Sequence, residues 1–374
     1  MRLIILKENL QKGLSIVERV ATKSLTLPIL NNILIQTEKN FLNLSATDLE
    51  IGIKWWGFVK TEKEGKLVIP AKLLSQFISL LPNQKVLLEQ KGFSLNIECE
   101  NYKTEVNGLS PDDFPIIPDV KEDKTVLIDA RLFCKGLSSV INIAAMSSVK
   151  PEISGVYFSF EKDTLKMVAT DSFRLGEKNL ALGKELKEKY SFILPQKSAF
   201  EIINIFGEME GELKIYFSPN QVMFESKMAE TNHTQIQLVS RLIEGDYPDY
   251  EEIIPKKSNT KATFSSSEFV KQIKTASLFG GKISEVKLKL DPKKGRIDVL
   301  SEDRDLGKYY SFMNAEIKGE PLEISFNHKF LIEGMNNIKS SEGILELNED
   351  STPALLKPVG DNSYIYIVMP IKTT

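Results

Sequence analysis

One short helical segment occurs three times along the sequence, and this repeat restricts the possible folds more than any other feature. The copies are residues Ile69–Leu81, Leu194–Phe206 and Phe326–Ile338. Their spacing is much longer than the roughly 20–50 residues of a solenoid repeat. The 374 residues therefore divide into three similar units of about 125 residues, which can close into a ring instead of stacking in an open series.

Each copy has the pattern of an amphipathic helix. In the first copy the apolar residues follow a 3.6-residue period, and these are Leu73, Leu74, Phe77, Ile78 and Leu81. Pro70 suits the first helical position, where its missing N–H costs nothing. A second helix is predicted near the start of each unit, over residues 10–20, 131–146 and 267–279.

Turn residues separate runs of strand-like sequence around these helices, which is typical of antiparallel hairpins. The clearest turns come directly before Phe41, Thr164 and Arg296. We therefore predict an α+β fold with three similar domains, each of which combines antiparallel sheet with two helices. The polar stretches 118–124 and 255–261 place the domains at residues 1–120, 121–254 and 255–374.

Cysteine usage and hydropathy exclude several classes of protein. Cys99 and Cys134 are the two cysteines, and they form neither a CxxC motif nor a Cys/His cluster. We expect no disulfide framework, metal or cofactor, and a reducing, cytoplasmic location. The apolar run Leu3–Leu6 is too short for a signal peptide, and no run approaches the ~20 apolar residues of a membrane helix.

Residues that could carry out catalysis are scarce. His233 and His328 lie in polar contexts without a nearby Ser or Cys motif, so a solvated or capping role fits them better. Gly280–Lys282 resembles part of a phosphate-binding loop, but Ile283 stands where that loop requires a hydroxyl residue. We interpret this segment as an ordinary loop.

Carboxylates offer an alternative interpretation as a metal-dependent phosphodiester enzyme. Its ligands would include Asp48, Asp171 and Asp303. The first two follow a threonine at equivalent places in their units, so they would lie far apart. Asx turns, in which the carboxylate caps nearby backbone N–H groups, explain these residues better.

The net charge of −3 is unevenly distributed. The predicted helix windows hold 11 basic and 5 acidic residues, which leaves 37 basic and 46 acidic residues elsewhere. A positive helix layer can face a polyanion, although solvated helices also carry lysines. Lys72, Lys197 and Lys329 occupy equivalent first-turn positions, where a cation opposes the helix dipole by about 0.3–1 kcal/mol. Their repetition suggests phosphate partners, but common descent of the units would also repeat it.

Six segments carry a family resemblance along the whole chain: Thr26–Asn32, Ala46–Glu50, Phe114–Pro115, Val168–Leu175, Asp246–Tyr250 and Val368–Lys372. With the threefold repeat, they make the chain resemble the bacterial sliding clamps, the beta subunits of replicative DNA polymerase III. The resemblance implies a DNA clamp fold in which two three-domain chains form a head-to-tail homodimer and close into a ring. Helices would line the hole, and the sheets would form the outer rim.

The resemblance also implies a function without catalysis. Such a ring encircles double-stranded DNA independently of its sequence and slides along it. As a processivity factor it tethers DNA polymerases, and it binds the clamp loader and repair proteins through a short peptide motif. No membrane is involved.

Three sets of site residues follow from the resemblance and the repeat. The residues that face DNA are expected to be Lys23, Lys72, Lys150, Lys197 and Lys329. The dimer contact is expected at Thr104, Val106 and Leu278. The partner-peptide groove is expected at Ile153, Thr170, Ser172, Phe173, Arg174, Leu175, Pro248, Ile253, Val368, Met369 and Pro370.

This sequence departs from the family pattern at the groove. Members often have Gly-His where Ser172-Phe173 stand, and some carry an arginine on the linker where this chain has Glu252. An apolar residue often follows the position of Lys372, where this chain has Thr373-Thr374. These changes bear on which peptide the groove prefers. A scaffold that binds proteins without DNA is a further alternative that the sequence leaves open.

Overall fold

The computed structural model describes residues 1–21, 24–120, 124–146, 149–186 and 188–372, and these ranges contain six α-helices. Each repeat contributes two, at the places that the apolar periodicity predicts. They are α1 Lys7–Val17, α2 Ala71–Leu80, α3 Ala130–Ser138, α4 Gln196–Phe206, α5 Ser266–Ala276 and α6 His328–Asn336.

The helix boundaries differ from the predicted ones at several ends; α1, for example, spans Lys7–Val17, where residues 10–20 were predicted. Pro70 precedes α2 as its N-cap residue instead of occupying the first helical position. Helix α3 ends at Ser138, well before the predicted residue 146, and a short 3-10 turn follows at Ile141–Ile143. The Ser139 hydroxyl donates to the Gly136 carbonyl at 2.6 Å, a local bond of the kind that competes with helix continuation.

The strands follow the threefold repeat. The first repeat contains β1 Arg2–Leu6, β2 Asn32–Glu38, β3 Phe41–Thr47, β4 Ile51–Phe58, β5 Lys60–Lys63, β6 Lys66–Pro70, β7 Lys85–Lys91, β8 Ser94–Cys99 and β9 Tyr102–Asn107. The second contains β10 Thr125–Asp129, β11 Gly155–Glu161, β12 Thr164–Thr170, β13 Arg174–Ala181, β14 Tyr190–Pro195, β15 Glu212–Phe217, β16 Gln221–Lys227 and β17 Thr234–Arg241. The third contains β18 Thr260–Ser265, β19 Glu285–Asp291, β20 Arg296–Asp303, β21 Gly307–Gly319, β22 Leu322–Asn327, β23 Glu342–Leu347, β24 Ala354–Pro358 and β25 Tyr364–Val368.

The predicted hairpin turns are present. Lys39 and Lys162 have φ of 52° and 53°, and Gly295 has φ of 60°, so each of these turns contains one residue in the left-handed region. All strand pairs in the described residues are antiparallel, as the α+β prediction requires.

The chain divides into two compact units. The first comprises Met1–Cys134 and Phe200–Leu242. It contains a five-stranded sheet with the order β5-β1-β7-β8-β9 and an eight-stranded sheet with the order β10-β15-β16-β17-β4-β3-β2-β6. Helix α1 packs on α2 and on β4, where the Trp55 ring lies against Gly13 of the helix.

The second unit comprises Lys135–Ala199 and Ile243–Thr374. It contains one twelve-stranded sheet with the order β14-β11-β12-β13-β25-β24-β23-β18-β21-β20-β19-β22. Helix α5 packs on α6 and on β21. In the core of this unit, Phe264 and Phe269 stack with ring centroids 4.5 Å apart.

Strands from successive repeats pair with each other in both units. Strand β4 of the first repeat pairs with β17 of the second, in the register Ile51↔Ser240. Strand β13 of the second repeat pairs with β25 of the third, in the register Arg174↔Val368. The equivalent strands β9 and β21 have no such partner: β9 is a sheet edge, and in the described residues the first half of β21 pairs with β20 alone.

Among the described residues no disulfide bond joins the two cysteines, and both are buried. Burial first, and then the charge of Asp129, raises the pKa of the Cys134 thiol to about 12. In the part of the chain that the structure describes, no helix combines the length and apolarity needed to cross a membrane.

Candidate nucleic-acid interface and peptide groove

Three of the lysines expected to face DNA have equivalent positions. Lys72, Lys197 and Lys329 are the second residues of α2, α4 and α6, and all three are exposed. The first-turn position inferred from the sequence is therefore confirmed. Lys150 is also exposed and directly precedes the 3-10 turn Pro151–Ile153. Lys23 lies outside the described residues.

A crevice of about 630 Å³ lies beside Lys72. Arg19, which sequence reasoning missed, reaches it from the end of α1, and its Nε lies 2.5 Å from the Glu201 carboxylate on α4. Most residues that line the crevice are polar, and they include Gln11, Ser15, Ser75, Gln76 and Ser79. Hydroxyl and amide groups of this kind can hold phosphates through bridging water.

Thr170–Leu175 form the turn between β12 and β13, and a carboxylate fixes its shape. Asp171 Oδ1 accepts the N–H groups of Phe173 and Arg174, each at 3.0 Å, and Thr170 Oγ1 donates to the Arg174 carbonyl at 2.7 Å. Ser172 has φ of 75°, a conformation that favours glycine. Phe173 is left 62% exposed.

The C-terminal segment runs beside this turn. Arg174 pairs with Val368, and the Met369 N–H donates to the Phe173 carbonyl at 2.8 Å. Val368 and Leu175 are buried, whereas Met369 and Pro370 are partly exposed. Two parts of the predicted groove are therefore brought together by main-chain bonds.

The linker between β17 and β18, residues 242–259, packs on buried apolar residues beside this turn. Tyr250 is buried with Val168, Leu175 and Ile367, and Tyr247 and Ile254 pack against them. The Tyr250 hydroxyl donates to Glu177 Oε2 at 2.8 Å, and burial followed by the Glu177 charge raises the Tyr250 pKa.

The remaining groove residues differ in their exposure. Pro248 and Ile253 are exposed on the linker, the latter by 45%, whereas Ile153 is 4% exposed. Pro248 lines a cavity whose other lining residues come from the linker and from β11 and β12, apart from Lys189. Thr170, Val368 and Met369 do not belong to that lining.

Arg174 points inward. Its side chain is 10% exposed, its Nε donates to Asp171 Oδ2 at 2.9 Å, and it forms an ion pair with Glu333 of α6. Its guanidinium also lies 4.6 Å from the Phe330 ring centroid. The contacts with Glu333 and Phe330 were missed from the sequence because these two residues lie more than 150 positions away. The Arg174 guanidinium is therefore neutralised by carboxylates of the chain itself and has a structural role.

The predicted Asx turns are confirmed. Asp48 and Asp303 cap their turns as Asp171 does, with Asp48 Oδ1 accepting the Ile51 N–H at 2.7 Å and Asp303 Oδ1 the Leu306 N–H at 3.1 Å. In the described residues, no group of three or more His, Cys, Asp and Glu side chains is arranged to hold a metal ion. The geometry gives no support to the phosphodiester-enzyme interpretation.

Two of the three expected dimer residues lie on an open strand edge. Thr104 and Val106 belong to β9, which confirms that this segment is an edge strand. Val106 is 5% exposed, so a charge placed there would disturb its own sheet. Leu278 is 69% exposed, in the turn Ser277–Phe279 after α5.

Comparison with known proteins identifies three successive family matches. Models of the DNA polymerase III beta subunit match residues 1–118 (N-terminal domain), 128–249 (central domain) and 251–372 (C-terminal domain). The beta sliding clamp of Synechococcus elongatus is 28% identical over 100% of this chain and 99% of its own length. That of Staphylococcus aureus is 28% identical over 93% of each chain.

Solved structures agree with these matches. The DNA polymerase sliding clamp of Bacillus subtilis superposes with a TM-score of 0.94 at 26% identity. A putative DNA polymerase III beta subunit from Eubacterium rectale gives 0.93 at 26%. Both comparisons cover 100% of each chain.

Replacing Arg174 tests its structural role. We expect Arg174→Gln to lower the free energy of unfolding by about 1–3 kcal/mol, because Asp171 and Glu333 lose a partly buried, charge-assisted partner. Arg241→Gln, at an exposed arginine that ends β17, is the matched control and should change it by less than about 0.5 kcal/mol. Chemical denaturation followed by circular dichroism measures both. Equal midpoints for the two variants would contradict the assignment.

Proposed function

The chain belongs to the DNA polymerase III beta subunit family, and from this premise we propose how its surfaces serve a sliding clamp. The protein is a DNA sliding clamp, a processivity factor that encircles duplex DNA and tethers polymerases, and it has no catalytic activity of its own. The observation that carries this function is the unbroken succession of three family domains along the chain. The domain boundaries are proposed at residues 120 and 254; the matches, which end at 118 and 249 and begin at 128 and 251, support the first and put the second a few residues earlier.

The proposed oligomer is a head-to-tail homodimer closed into a ring, and the internal repeat gives its strand register. Ile51, Arg174 and Leu306 each stand three residues after an Asx-turn aspartate. Ile51 pairs with Ser240, and Arg174 pairs with Val368. By the same rule Leu306 should pair with a residue of β9 in a second copy.

The end of each repeat identifies that residue. The N–H groups of Leu109, Ile243 and Ile371 donate to equivalent carbonyls of β6, β14 and β22, at 2.8, 3.0 and 2.8 Å. Ser240 and Val368 precede Ile243 and Ile371 by three residues, as Val106 precedes Leu109. Val106 is thus proposed to pair with Leu306 of the partner subunit, and Thr104 with Lys308 of the partner subunit.

Such pairing would cover apolar surface as well as strand edges. Leu306, Tyr310 and Phe312 are 59%, 56% and 50% exposed, and Tyr102 on β9 is 45% exposed. Apolar side chains beside unpaired backbone favour association with another chain. Head-to-tail pairing of this kind gives a ring when the rotation between copies closes on the first copy. Two copies of this chain would then supply six repeats.

An engineered disulfide tests this register. Directly opposed residues of antiparallel strands have Cβ atoms about 4.5–5.5 Å apart, so Thr104→Cys combined with Lys308→Cys should give a covalent dimer under mild oxidation. Thr104→Cys with Tyr309→Cys is shifted by one residue to the other face and should give little. Non-reducing electrophoresis measures the yield. Equal yields would contradict the register, and light scattering that shows only monomer at micromolar concentration would contradict the dimer.

Retention on DNA is proposed to come from enclosure and not from tight contacts. A closed ring stays on circular DNA without strong binding, so a few lysines that meet phosphates suffice, and a net charge of −3 keeps sliding free. Lys72, Lys197 and Lys329, with Lys23 and Lys150, are proposed to supply these contacts. Their shared place at three helix starts supports this role.

Substituting the three helix lysines tests that role. The triple Lys72, Lys197, Lys329→Gln variant should load less well on nicked circular DNA of any sequence, and its salt slope should fall by up to about one unit per lost phosphate contact. The control is a second triple variant, in which the exposed strand residues Lys91, Lys227 and Lys318 are replaced by Gln.

Retention is measured before and after the circle is linearised. Wild-type protein that stays on the circle and leaves the linear form supports the clamp. Protein that never binds the circle would favour a scaffold without DNA. If the helix-lysine and strand-lysine variants load equally, the helix lysines are merely solvated.

Polymerases, the clamp loader and repair proteins are proposed to bind through a short peptide. The groove would lie between the turn Thr170–Leu175, the linker Pro248–Ile253 and the segment Val368–Pro370. Main-chain bonds and the shared apolar cluster support this proposal. Phe173 and Ile253 are exposed apolar side chains that an apolar anchor can cover, at roughly 1.5–3 kcal/mol gross for each anchor. We propose a cytoplasmic location, which two buried cysteines without a disulfide bond between them support.

Truncating Met369 tests the groove. Met369→Ala should weaken binding of a polymerase-tail peptide about tenfold, from an expected micromolar dissociation constant, because an adaptable apolar wall is lost. Met146→Ala, at a methionine that is 94% exposed, is the matched control and should leave the affinity unchanged. Titration calorimetry measures both variants beside the wild type. If Met369→Ala binds as tightly as Met146→Ala, the C-terminal segment does not form the groove.

A further inference from the structure

A small cavity lies beside Pro248, a residue of the proposed groove. Its volume is about 280 Å³. Aromatic and charged side chains line it, and they are Tyr157, Tyr247, Tyr250, Glu161, Asp249, Glu251, Lys166 and Lys189. Aromatic rings and carboxylates together are the surroundings that a cationic side chain prefers.

The aromatic walls are held in place by their own contacts. Tyr157 and Tyr247 stack with ring centroids 4.9 Å apart and planes inclined by 13°. Tyr250 meets Tyr247 edge to face at 6.3 Å, and its hydroxyl is anchored on Glu177. Because these rings are already ordered, a ligand would lose little free energy in shaping the cavity.

Lys166, which lines the cavity, shows whether the surroundings stabilise a positive charge. Its ammonium lies 2.8 Å from Glu251, 3.9 Å from Glu177 and 5.9 Å from the centre of the Tyr250 ring. Burial alone would lower the Lys166 pKa, but the hydrogen bond to Glu251 and the charges of Glu177, Glu251 and Glu161 raise it. The surroundings therefore stabilise positive charge despite the cost of burial.

One carboxylate of the cavity is left without a cation. Glu251 is paired with Lys166, and Glu161 is paired with Lys189 at 3.2 Å. Asp249 is exposed, and its Oδ1 accepts only the Glu251 N–H at 3.3 Å, with no ion pair among the described residues. A second cation can therefore enter with a carboxylate available to receive it.

We propose that this cavity is a subsite of the peptide groove that takes an arginine side chain of the partner peptide. The assignment rests on the proposed peptide groove and names a specific chemistry for its ligand. A guanidinium suits it better than an ammonium, because its flat face stacks on a tyrosine ring while its edge donates to a carboxylate. Asp249 receives that edge, and Pro248 joins the subsite to the apolar groove.

The subsite also accounts for an asymmetry between the two linkers. Phe114 and Pro115 of the first linker correspond to Tyr247 and Pro248, but the next residue is Ile116 where the second linker has Asp249. The first linker thus has no carboxylate at the position equivalent to Asp249.

A pair of synthetic peptides tests the proposal. Both carry a leucine and a phenylalanine as apolar anchors; one has arginine on each flank, and the other has citrulline, which has nearly the same shape without charge. On the wild-type protein, calorimetry should show about fivefold tighter binding of the arginine peptide. Asp249→Asn should reduce this preference to less than about twofold. Asp113→Asn, at an exposed aspartate of the first linker, should keep it.

The outcomes separate this inference from the groove itself. If both peptides bind equally and Met369→Ala weakens both, the groove stands and the arginine subsite is wrong. A preference that persists in Asp249→Asn would place the arginine elsewhere and would also overturn the proposal. If neither peptide binds the wild type, the groove proposal fails and the subsite fails with it.

Discussion

The pairing of backbone groups at strand edges is the constraint on which the rest of this structure depends. Unpaired N–H and C=O groups along an edge must find partners, and an open edge invites association. Within the chain, two such edges are paired between successive repeats: β4 pairs with β17, and β13 pairs with β25. The second junction also creates the proposed groove, because β13 starts at the turn that β25 runs beside. Of the edges that remain, β9 and the first half of β21 are the repeat equivalents of these paired strands, and another copy is proposed to join there.

Local patterns allowed the architecture to be predicted from the sequence. The period of Leu73, Leu74, Phe77 and Ile78 identified a helix, and left-handed turn residues such as Gly295 identified hairpins, because both signals depend on neighbours within a few residues. The Asx turns at Asp48 and Asp171 were predictable for the same reason. Helix ends were less predictable, as α3 illustrates, since the serines there compete for backbone bonds.

Long-range contacts could not be predicted in this way. The sequence marked Arg174 as a groove residue, but its partners Phe330 and Glu333 lie on a helix of another repeat and turn its charge inward. The packing of Tyr157 on Tyr247 depends likewise on how the linker crosses the sheet. Family resemblance located the groove segments, whereas their charge balance appeared only when side chains distant in sequence were seen together.

The two buried cysteines have a consequence for the protein's response to oxidants. Burial raises the pKa of the Cys134 thiol to about 12, so it stays protonated at pH 7, and the thiolate is the form that peroxides attack. Cys99 is 1% exposed, and burial raises its pKa as well. The fold therefore shields both thiols from oxidants that act on thiolates.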